Sequence, residues 1–408
     1  MDTRRQVIRA MCLVLAVTAS AGCTGNASRA QTAQGAEETT VAEVLTINTN
    51  RFADLQNSSF LPVSGRITGN EVWFSPSMDT GRMRIPACLG LHGDVLVAGY
   101  GTLLVGVRRQ DGPALWAHTI TGNHAFMMNE RGIVTLNHAG FFVLRDFEGE
   151  TVEKKYLAMV TRETFLHFFA EVGEETVFCF QTYPKPVNKP GMQVELPRTA
   201  FIRYIPDHRD IRWYFERRET CLDALISRDL ARVYIAVYDK LYSFPTDAAS
   251  EDSVVTVEFT RIASLSVDHS GKALVVDMTE EGTELKQVAA DGQIEWTVPL
   301  GTLPVSPQPP ASSPDGYVYI VSGNVLHQIK DGAILWSRPL PAGPDEILYS
   351  VLADNSVLAA AGQALVHVSD RGEEIMAKMM LSPIGTRPLM DEQGRVYLGG
   401  ADGIRCLQ

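Results

Sequence analysis

One short pattern recurs along the chain and constrains its fold more than any other feature: Asp-Gly, with a tryptophan four residues after the glycine. The segments are DGPALW at 111–116, DGQIEW at 291–296 and DGAILW at 331–336. Asp-Gly between alternating apolar runs predicts a two-residue hairpin, because both central residues of that turn need positive φ. We therefore expect repeated antiparallel hairpins, with turns at Asp111, Gly112, Asp291, Gly292, Asp331 and Gly332.

The unit that contains this turn is longer than one hairpin. Apolar runs that we align as its second strand start at eight places, separated by 38 (95 to 133) to 56 (177 to 233) residues. No segment long enough for a helix shows a helical period, and four antiparallel strands in about 40 residues are typical of a β-propeller blade. We predict an all-β, eight-bladed propeller of four-stranded antiparallel blades over residues 61–408, with second strands at Val95, Ile133, Val177, Val233, Ala273, Tyr317, Val357 and Val396.

The eighth unit is incomplete, and the start of the chain supplies what it lacks. Residues 387–408 contain three strands of the unit and end before the strand that carries tryptophan. A lone closing piece, GNEVW at 69–73, stands before the first unit. Because an open ring would leave unpaired sheet edges, we predict that this N-terminal strand completes the last blade.

The tryptophans have a predicted packing role at the outer strand. A flat indole there can lie between neighbouring blades and donate its N–H to a backbone carbonyl. Unit seven has Met376 in the tryptophan position, and another large apolar side chain can partly fill the same space. The residues that we expect to pack between blades are Trp73, Trp116, Trp213, Trp296 and Trp336.

The first residues have the form of an export signal. A short segment with three arginines precedes an apolar stretch at 10–21, which is too short to span a bilayer. Gly22-Cys23 then resembles a bacterial lipobox, although Ser20 stands where leucine is usual; ordinary secretion with cleavage nearby is the alternative. We predict a lipoprotein signal peptide over 1–22, lipidation of Cys23 and a flexible tether over 23–60.

Composition and side-chain spacing argue against several kinds of chemistry. A net charge of −12 argues against nucleic-acid partners, which need clustered lysine and arginine. The histidines and cysteines lack the spacing of a metal site, and we interpret the acidic run at 277–284 as a solvated turn. We favour buried free thiols but leave disulfides open for Cys88, Cys179, Cys221 and Cys406.

The best-preserved unit, GYVYIVSGNVLHQIKDGAILW at 316–336, resembles the pyrroloquinoline-quinone-like (PQQ-like) propeller repeat. The resemblance implies one of two functions. Quinoprotein dehydrogenases bind the quinone on the propeller axis with calcium, whereas the propeller lipoprotein of the bacterial outer-membrane barrel-assembly machinery is a non-enzymatic scaffold. The chain has no adjacent cysteines like those that lie over the quinone, and its lipobox, length and blade count are similar to the scaffold family. We therefore predict no cofactor and no metal.

One connection is much longer than a hairpin needs. The segment TYPKPVNKPGMQVELP, at 182–197, separates the second and third strands of unit three and contains four prolines. A long loop on a rigid scaffold is where binding residues tend to lie, although a neutral insertion is the alternative. The candidate partner-contact residues are Tyr183, Lys185, Lys189 and Met192.

These features together predict a monomeric, non-enzymatic scaffold that is anchored by lipid in the cell envelope and binds envelope proteins. Thr24 follows the cysteine where an inner-membrane lipoprotein tends to have aspartate, so the resemblance implies the outer membrane and a role in outer-membrane protein assembly. The alternatives are a quinone-dependent dehydrogenase and a surface adhesin or sensor that binds peptide or glycan. The partner, the binding face and the side of the membrane stay open.

Overall fold

The computed structural model describes most of the chain from residue 60 onward and one short strand before it. No helix in this part of the chain has the length and hydrophobicity to cross a membrane. Its helical content is a short 3-10 turn at Glu251–Ser253. The described residues are 46–47, 60–65, 67–77, 86, 88–100, 102–120, 126–129, 131–136, 141–156, 164–172, 175–182, 197–205, 210–302, 308–341 and 347–408.

The strands form eight sheets, and the predicted eight-bladed propeller is confirmed. Three strands precede the first blade: β1 (Thr46–Ile47), β2 (Phe60–Leu61) and β3 (Glu71–Pro76). Blade one consists of β4 (Cys88–His92), β5 (Val95–Tyr100), β6 (Leu103–Arg108) and β7 (Ala114–Thr119), and blade two of β8 (Met127–Asn129), β9 (Gly132–Leu136), β10 (Phe141–Arg145) and β11 (Thr151–Tyr156). Blade three consists of β12 (Thr164–Val172), β13 (Glu175–Thr182), β14 (Arg198–Ile205) and β15 (Asp210–Arg217), and blade four of β16 (Cys221–Ile226), β17 (Arg232–Val237), β18 (Lys240–Pro245) and β19 (Val255–Glu258).

The remaining blades follow the same order from the innermost to the outermost strand. Blade five consists of β20 (Ile262–Val267), β21 (Ala273–Thr279), β22 (Gly282–Val288) and β23 (Ile294–Gly301), and blade six of β24 (Ala311–Ser312), β25 (Val318–Ser322), β26 (Val325–Lys330) and β27 (Ala333–Pro339). Blade seven consists of β28 (Ile347–Leu352), β29 (Val357–Ala361), β30 (Ala364–Val368) and β31 (Glu374–Met379), and blade eight of β32 (Leu389–Met390), β33 (Val396–Gly400), β34 (Gly403–Leu407) and β3. The second strand of every blade begins within two residues of its predicted position, and the largest difference is in blade three, where β13 begins at Glu175 rather than Val177.

Blade eight is completed by the N-terminal strand, as predicted. β3 pairs antiparallel with β34, and Trp73 lies opposite Cys406. Beyond this ladder, Asn70 and Gln408 exchange two backbone hydrogen bonds of 3.0 and 2.8 Å. The two parts of the chain therefore meet without a covalent link at the place where the other blades have a turn between their third and fourth strands.

A segment that the sequence did not identify as paired leads into β3; we call residues 60–65 and 67–69 the strap. Its strand β2 adds to the inner edge of blade seven, parallel to β28. The Val63 carbonyl then accepts a 2.8 Å hydrogen bond from the N–H of Ala353. Leu61, Val63 and Ile67 are all buried, so the strap contributes side chains to the core as well as backbone hydrogen bonds.

The strand β1 adds to the inner edge of blade one, antiparallel to β4. It lies inside the segment 23–60 that we expected to be a tether, and β2 begins at its last residue. The chain therefore contacts the propeller before the expected boundary, because the inner edge of a blade offers unpaired backbone groups to a passing segment. The extents of the signal peptide and the tether stay predictions.

The two faces of the ring carry different connections. The turn face, as we call it, carries the turns between first and second strands and between third and fourth strands. Because neighbouring strands run in opposite directions, the opposite face, the loop face, carries the second-to-third-strand turns and the connections between blades. The strap lies on the turn face, where Gly65 packs against Gly394 in the first turn of blade eight.

The Asp-Gly turns differ in geometry. Asp331 and Gly332 form a two-residue turn between β26 and β27, with φ of 50° and 75°. At 111–112 and 291–292 the glycine alone has positive φ, and five residues separate the strands (109–113 and 289–293). The prediction of two-residue turns is therefore wrong at these two sites, since the longer loops need only one residue in the left-handed region.

All four cysteines in the described part of the chain are buried and free. Burial raises the pKa of Cys88 and of Cys406 to about 12. A thiol with such a pKa stays protonated at neutral pH and is a poor nucleophile or metal ligand. The arrangement agrees with the interpretation of these residues as core side chains.

Candidate interaction site on the loop face

The predicted interblade tryptophans lie at the rim of the turn face. In three blades the indole N–H donates a hydrogen bond to a backbone carbonyl of the next blade, a contact that suits an indole with a packed ring and a polar N–H. This bond links the outer strand of one blade to the third-to-fourth-strand turn of its neighbour. The donor and acceptor residues, each pair 2.9 Å apart, are Trp73 and Arg109, Trp116 and Phe147, and Trp336 and Asp370.

Each indole also covers a glycine in that neighbouring turn. A Cβ atom on the glycine would lie 2.7 to 2.9 Å from the tryptophan side chain, which is too close for any residue other than glycine. In blade seven, Met376 takes the place of the indole and covers Gly69. The Asp-Gly and Trp elements of the repeat therefore form one contact between blades; the pairs are Gly112 on Trp73, Gly149 on Trp116, Gly332 on Trp296 and Gly372 on Trp336.

Some predicted sites cannot be placed in this way. Trp213 lies opposite Arg203 in the pairing of β14 with β15, but its side chain is outside the described part of the chain. Cys23 also lies outside the described part of the chain. The candidate loop residues outside the described segments are Tyr183, Lys185, Lys189 and Met192.

Blades four and five present a group of exposed residues on the loop face, which we call the loop-face patch: Leu222, Tyr238, Arg261 and Met278. Tyr238 follows the last residue of β17 and is 60% exposed, whereas Leu222 protrudes from a β-bulge in β16. Met278 lies near the end of β21, and Arg261 lies in the connection between the two blades. Aromatic residues, methionine and arginine are enriched at the centres of protein interfaces.

Backbone hydrogen bonds hold three members of the patch together. The N–H of Ile262 donates to the Tyr238 carbonyl and the N–H of Met278 donates to the Arg261 carbonyl, each over 2.8 Å. The guanidinium carbon of Arg261 lies 6.0 Å from the centre of the Tyr238 ring, within the range of a cation–π contact. The patch is therefore built on a rigid part of the ring.

The predicted partner loop connects to the same face. β13 ends at Thr182 and β14 begins at Arg198, so the loop is the second-to-third-strand connection of blade three. Blade three packs on blade four, for example through the Phe201 and Phe244 rings, whose centres are 5.1 Å apart. The ends of the loop and the patch thus belong to adjacent blades. Sequence reasoning missed the patch, and the one local signal was Tyr238, an aromatic residue in a tight turn.

Two of the four carboxylates in the acidic run beside the patch are paired with a lysine. Asp277 is buried and accepts a 2.7 Å bond from Lys286 Nζ, which also contacts Glu284 at 3.0 Å. Burial alone would lower the pKa of Lys286, but the bonds and charges of the two carboxylates raise it, and the net direction is upward. The interpretation of 277–284 as a solvated turn is wrong for these two carboxylates, which lie in β21 and β22; the turn itself is residues 280–281.

The donor groups that a quinone and calcium would need do not converge in the described segments. No three His, Cys, Asp or Glu side chains there are placed to hold a metal ion. The carboxylates of Asp277 and Glu284 already have the Lys286 ammonium as their cation. On the axial side, β1 and β2 cover part of the inner edges of blades one and seven. The described residues therefore show no cluster of three such side chains for a calcium ion.

Comparison with known proteins identifies the fold and no closer relationship. No family model matches the chain, and no curated protein matches it either. The quinohemoprotein alcohol dehydrogenase from Comamonas testosteroni is similar, with a TM-score of 0.55 at 9% identity over 88% of this chain and 77% of that chain. The alcohol dehydrogenase ADHIIG from Pseudomonas putida HK5 has a TM-score of 0.56 at 10% identity, over 86% and 75% of the two chains.

A third solved structure, BamB from Moraxella catarrhalis, matches with a TM-score of 0.38 at 13% identity, over 77% of this chain and 79% of that chain. A match at that TM-score carries no argument about this protein. The two dehydrogenases share the fold of this protein, but their sequence identities to it are too low to say anything about its activity. The PQQ-like propeller predicted from the repeat is thus confirmed as a fold.

Proposed function

We propose that this protein is a non-enzymatic scaffold that binds a protein partner through the loop-face patch, and that residues 183–196, which connect two strands of the adjacent blade three, contribute to the same contact. The observation that carries the proposal is the meeting of Tyr238, Arg261 and Met278 on the loop face. The rim of the turn face, in contrast, is occupied by the tryptophan contacts and the strap. A rigid ring that displays a few large side chains is suited to binding, since little entropy is lost when the partner docks.

We further propose that the scaffold is attached by lipid at Cys23 to the outer membrane, where it takes part in outer-membrane protein assembly. The lipobox-like Gly22-Cys23 and the residue Thr24 support the attachment and the membrane. Density-gradient separation of the two membranes from cells that express the full chain tests this proposal. Recovery in the inner membrane or in the soluble fraction would contradict it.

The partner site is tested by mild crosslinking in membranes, followed by purification of the full chain and identification of the captured proteins. We expect Tyr238→Ser with Met278→Ser to reduce capture of the main partner by about tenfold or more, because central hot-spot residues dominate binding. Leu335→Ser is the matched control: Leu335 is 52% exposed on the outer strand of blade six and should not affect capture. Equal capture of the main partner by the patch variant and by the control would refute the proposal that the loop-face patch is the binding site.

The dehydrogenase alternative is supported by the shared fold alone. Incubation with the quinone and calcium, followed by a dye-linked alcohol oxidation assay, separates the two functions. Quinone-dependent turnover would overturn the scaffold proposal. Degradation of the protein by protease added to whole cells would favour the adhesin or sensor alternative.

A further inference from the structure

The outer edge of blade seven differs from the other outer edges of the ring. On one side of β31, Met376 and Lys378 pack against Gly69 at the end of the strap. Alternate residues of a strand lie on opposite faces, so the residues between them face solvent. Met379 and Leu381 are 67% and 87% exposed, the largest fractions among large hydrophobic residues of the described chain. We call this exposed face the edge stripe: Ile375, Ala377, Met379 and, just beyond the strand, Leu381.

The backbone of the edge stripe points toward the open side of the sheet. Met380 donates its N–H to the Gln363 carbonyl over 2.8 Å. In an antiparallel strand the N–H and C=O of one residue point the same way, and the direction alternates along the strand. The backbone groups of Ala377 and Met379 therefore point away from β30. Since β31 is the outermost strand of its sheet, they face the open edge.

Proline removes the corresponding donor in three other blades. The third residue after the tryptophan position is Pro76 in blade eight, Pro299 in blade five and Pro339 in blade six, but Met379 in blade seven. Pro339 faces the open edge by the same alternation, because Leu340 donates inward to the Asn324 carbonyl over 2.7 Å. Proline on an outer strand prevents edge-to-edge pairing, so blade seven keeps a donor that these blades lack.

Charge indicates what kind of segment fits this edge. The turn before β31 contains the exposed carboxylates Asp370 and Glu373 and the exposed cation Arg371. Glu374, the first residue of β31, is already paired with Arg338 of blade six at 2.8 Å. The chain as a whole carries a net charge of −12, which disfavours pairing of this edge with a second copy of itself. The edge stripe and its acidic end together match an apolar strand that has a basic residue at one end.

We propose that the outer edge of blade seven binds an extended segment of a partner protein by strand addition. The segment has apolar side chains at alternate positions and a basic residue beside Glu373. Main-chain hydrogen bonds to Ala377 and Met379 provide affinity, and the edge stripe provides selectivity for the side chains. This surface lies on the outer rim and is separate from the loop-face patch, so the two proposals can fail independently.

The test uses fluorescein-labelled octapeptides with valine, isoleucine or phenylalanine at alternate positions, threonine between them and lysine at one end. Fluorescence polarisation measures their binding to the full chain. We expect at least one peptide to saturate, and Met379→Pro to weaken it by about tenfold or more through the lost main-chain bond. Thr119→Pro, at the equivalent position of blade one, is the matched control and should leave the affinity unchanged.

Two further readouts keep the test decisive. The Met379→Pro variant should fold, because three blades already have proline at this position, and a thermal melt checks this. Bound peptide should slow deuterium exchange at the amides of Ala377 and Met379, and replacing its lysine with glutamate should weaken binding. The proposal is overturned if no peptide saturates, if Met379→Pro binds as well as the unaltered chain, or if this edge instead forms a dimer that Met379→Pro abolishes.

Discussion

A chain that lacks residues 60–77 should not form a stable ring. The deletion removes the buried side chains of Leu61, Val63, Ile67 and Trp73, and it leaves β34 without its outer partner. Truncation of a single buried large side chain costs about 2 to 5 kcal/mol, whereas a whole domain is stable by about 5 to 15 kcal/mol. Loss of four such side chains and one strand therefore exceeds what the ring can tolerate.

Circular dichroism and thermal denaturation measure this effect. Deletion of residues 24–40 from the expected tether is the control and should leave the melting temperature unchanged. Addition of a synthetic peptide of residues 60–77 should restore a cooperative transition, because the segment closes blade eight without a covalent link to β34. A shortened chain that melts within a couple of degrees of the full chain would show that closure at blade eight contributes little.

Substitution of Arg109 by alanine should be the most damaging single change of a charged residue. Arg109 lies between blades one and eight, and its guanidinium is 3.6 Å from the carboxylate of Asp391. The Arg109 side chain is 8% exposed and the Asp391 side chain is fully buried. Removal of Arg109 takes this cation from the buried Asp391 carboxylate, which keeps hydrogen bonds from the Tyr397 hydroxyl and from the N–H groups of Gln393 and Arg395. Loss of one partner of a buried ion pair costs about 3 to 5 kcal/mol. Urea denaturation should show this loss of unfolding free energy.

Arg338→Ala is the matched control for that substitution. Arg338 also links neighbouring blades, with a 2.8 Å bond to Glu374, but its side chain is 28% exposed and that of Glu374 43%. An exposed pair of this kind contributes about 0 to 1 kcal/mol. Arg109→Ala with Asp391→Asn should recover part of the stability, since no buried charge is left alone. Equal losses in Arg109→Ala and Arg338→Ala would contradict the importance of burial at this interface.

Most of the ring was predictable because its signals are local. Alternating apolar runs and Asp-Gly turns mark each hairpin, and a missing fourth strand in the last unit, together with an early Gly69–Trp73 piece, predicts how the ring closes. The same local pattern explains why Met376 could be recognised as a replacement for tryptophan. The pattern alone does not show the contact that it produces, in which each indole lies on the glycine of a turn in the next blade.

Other features could not be predicted, because they depend on contacts between distant parts of the chain. The strands β1 and β2 are two residues long, and their pairing is determined by the inner edges of blades one and seven rather than by their own sequence. The loop-face patch combines residues from four separate segments of blades four and five. The open edge of blade seven depends on one position of the outer strand, which is methionine in this blade and proline in three others.

A cross-strand disulfide tests the ring closure most directly. Phe74 and Arg405 are opposite each other in the pairing of β3 with β34, and the guanidinium carbon of Arg405 lies 4.5 Å from the centre of the Phe74 ring. Ser77 donates inward to the Asp402 carbonyl, so Phe74 and Arg405 form a non-hydrogen-bonded pair, whose Cα separation of about 4.5 Å suits a disulfide. We predict that Phe74→Cys with Arg405→Cys forms this bond on oxidation, seen by peptide mapping, and that the oxidised protein melts at a higher temperature than the reduced protein. Two free thiols in the folded, oxidised variant would contradict closure of blade eight by the N-terminal strand.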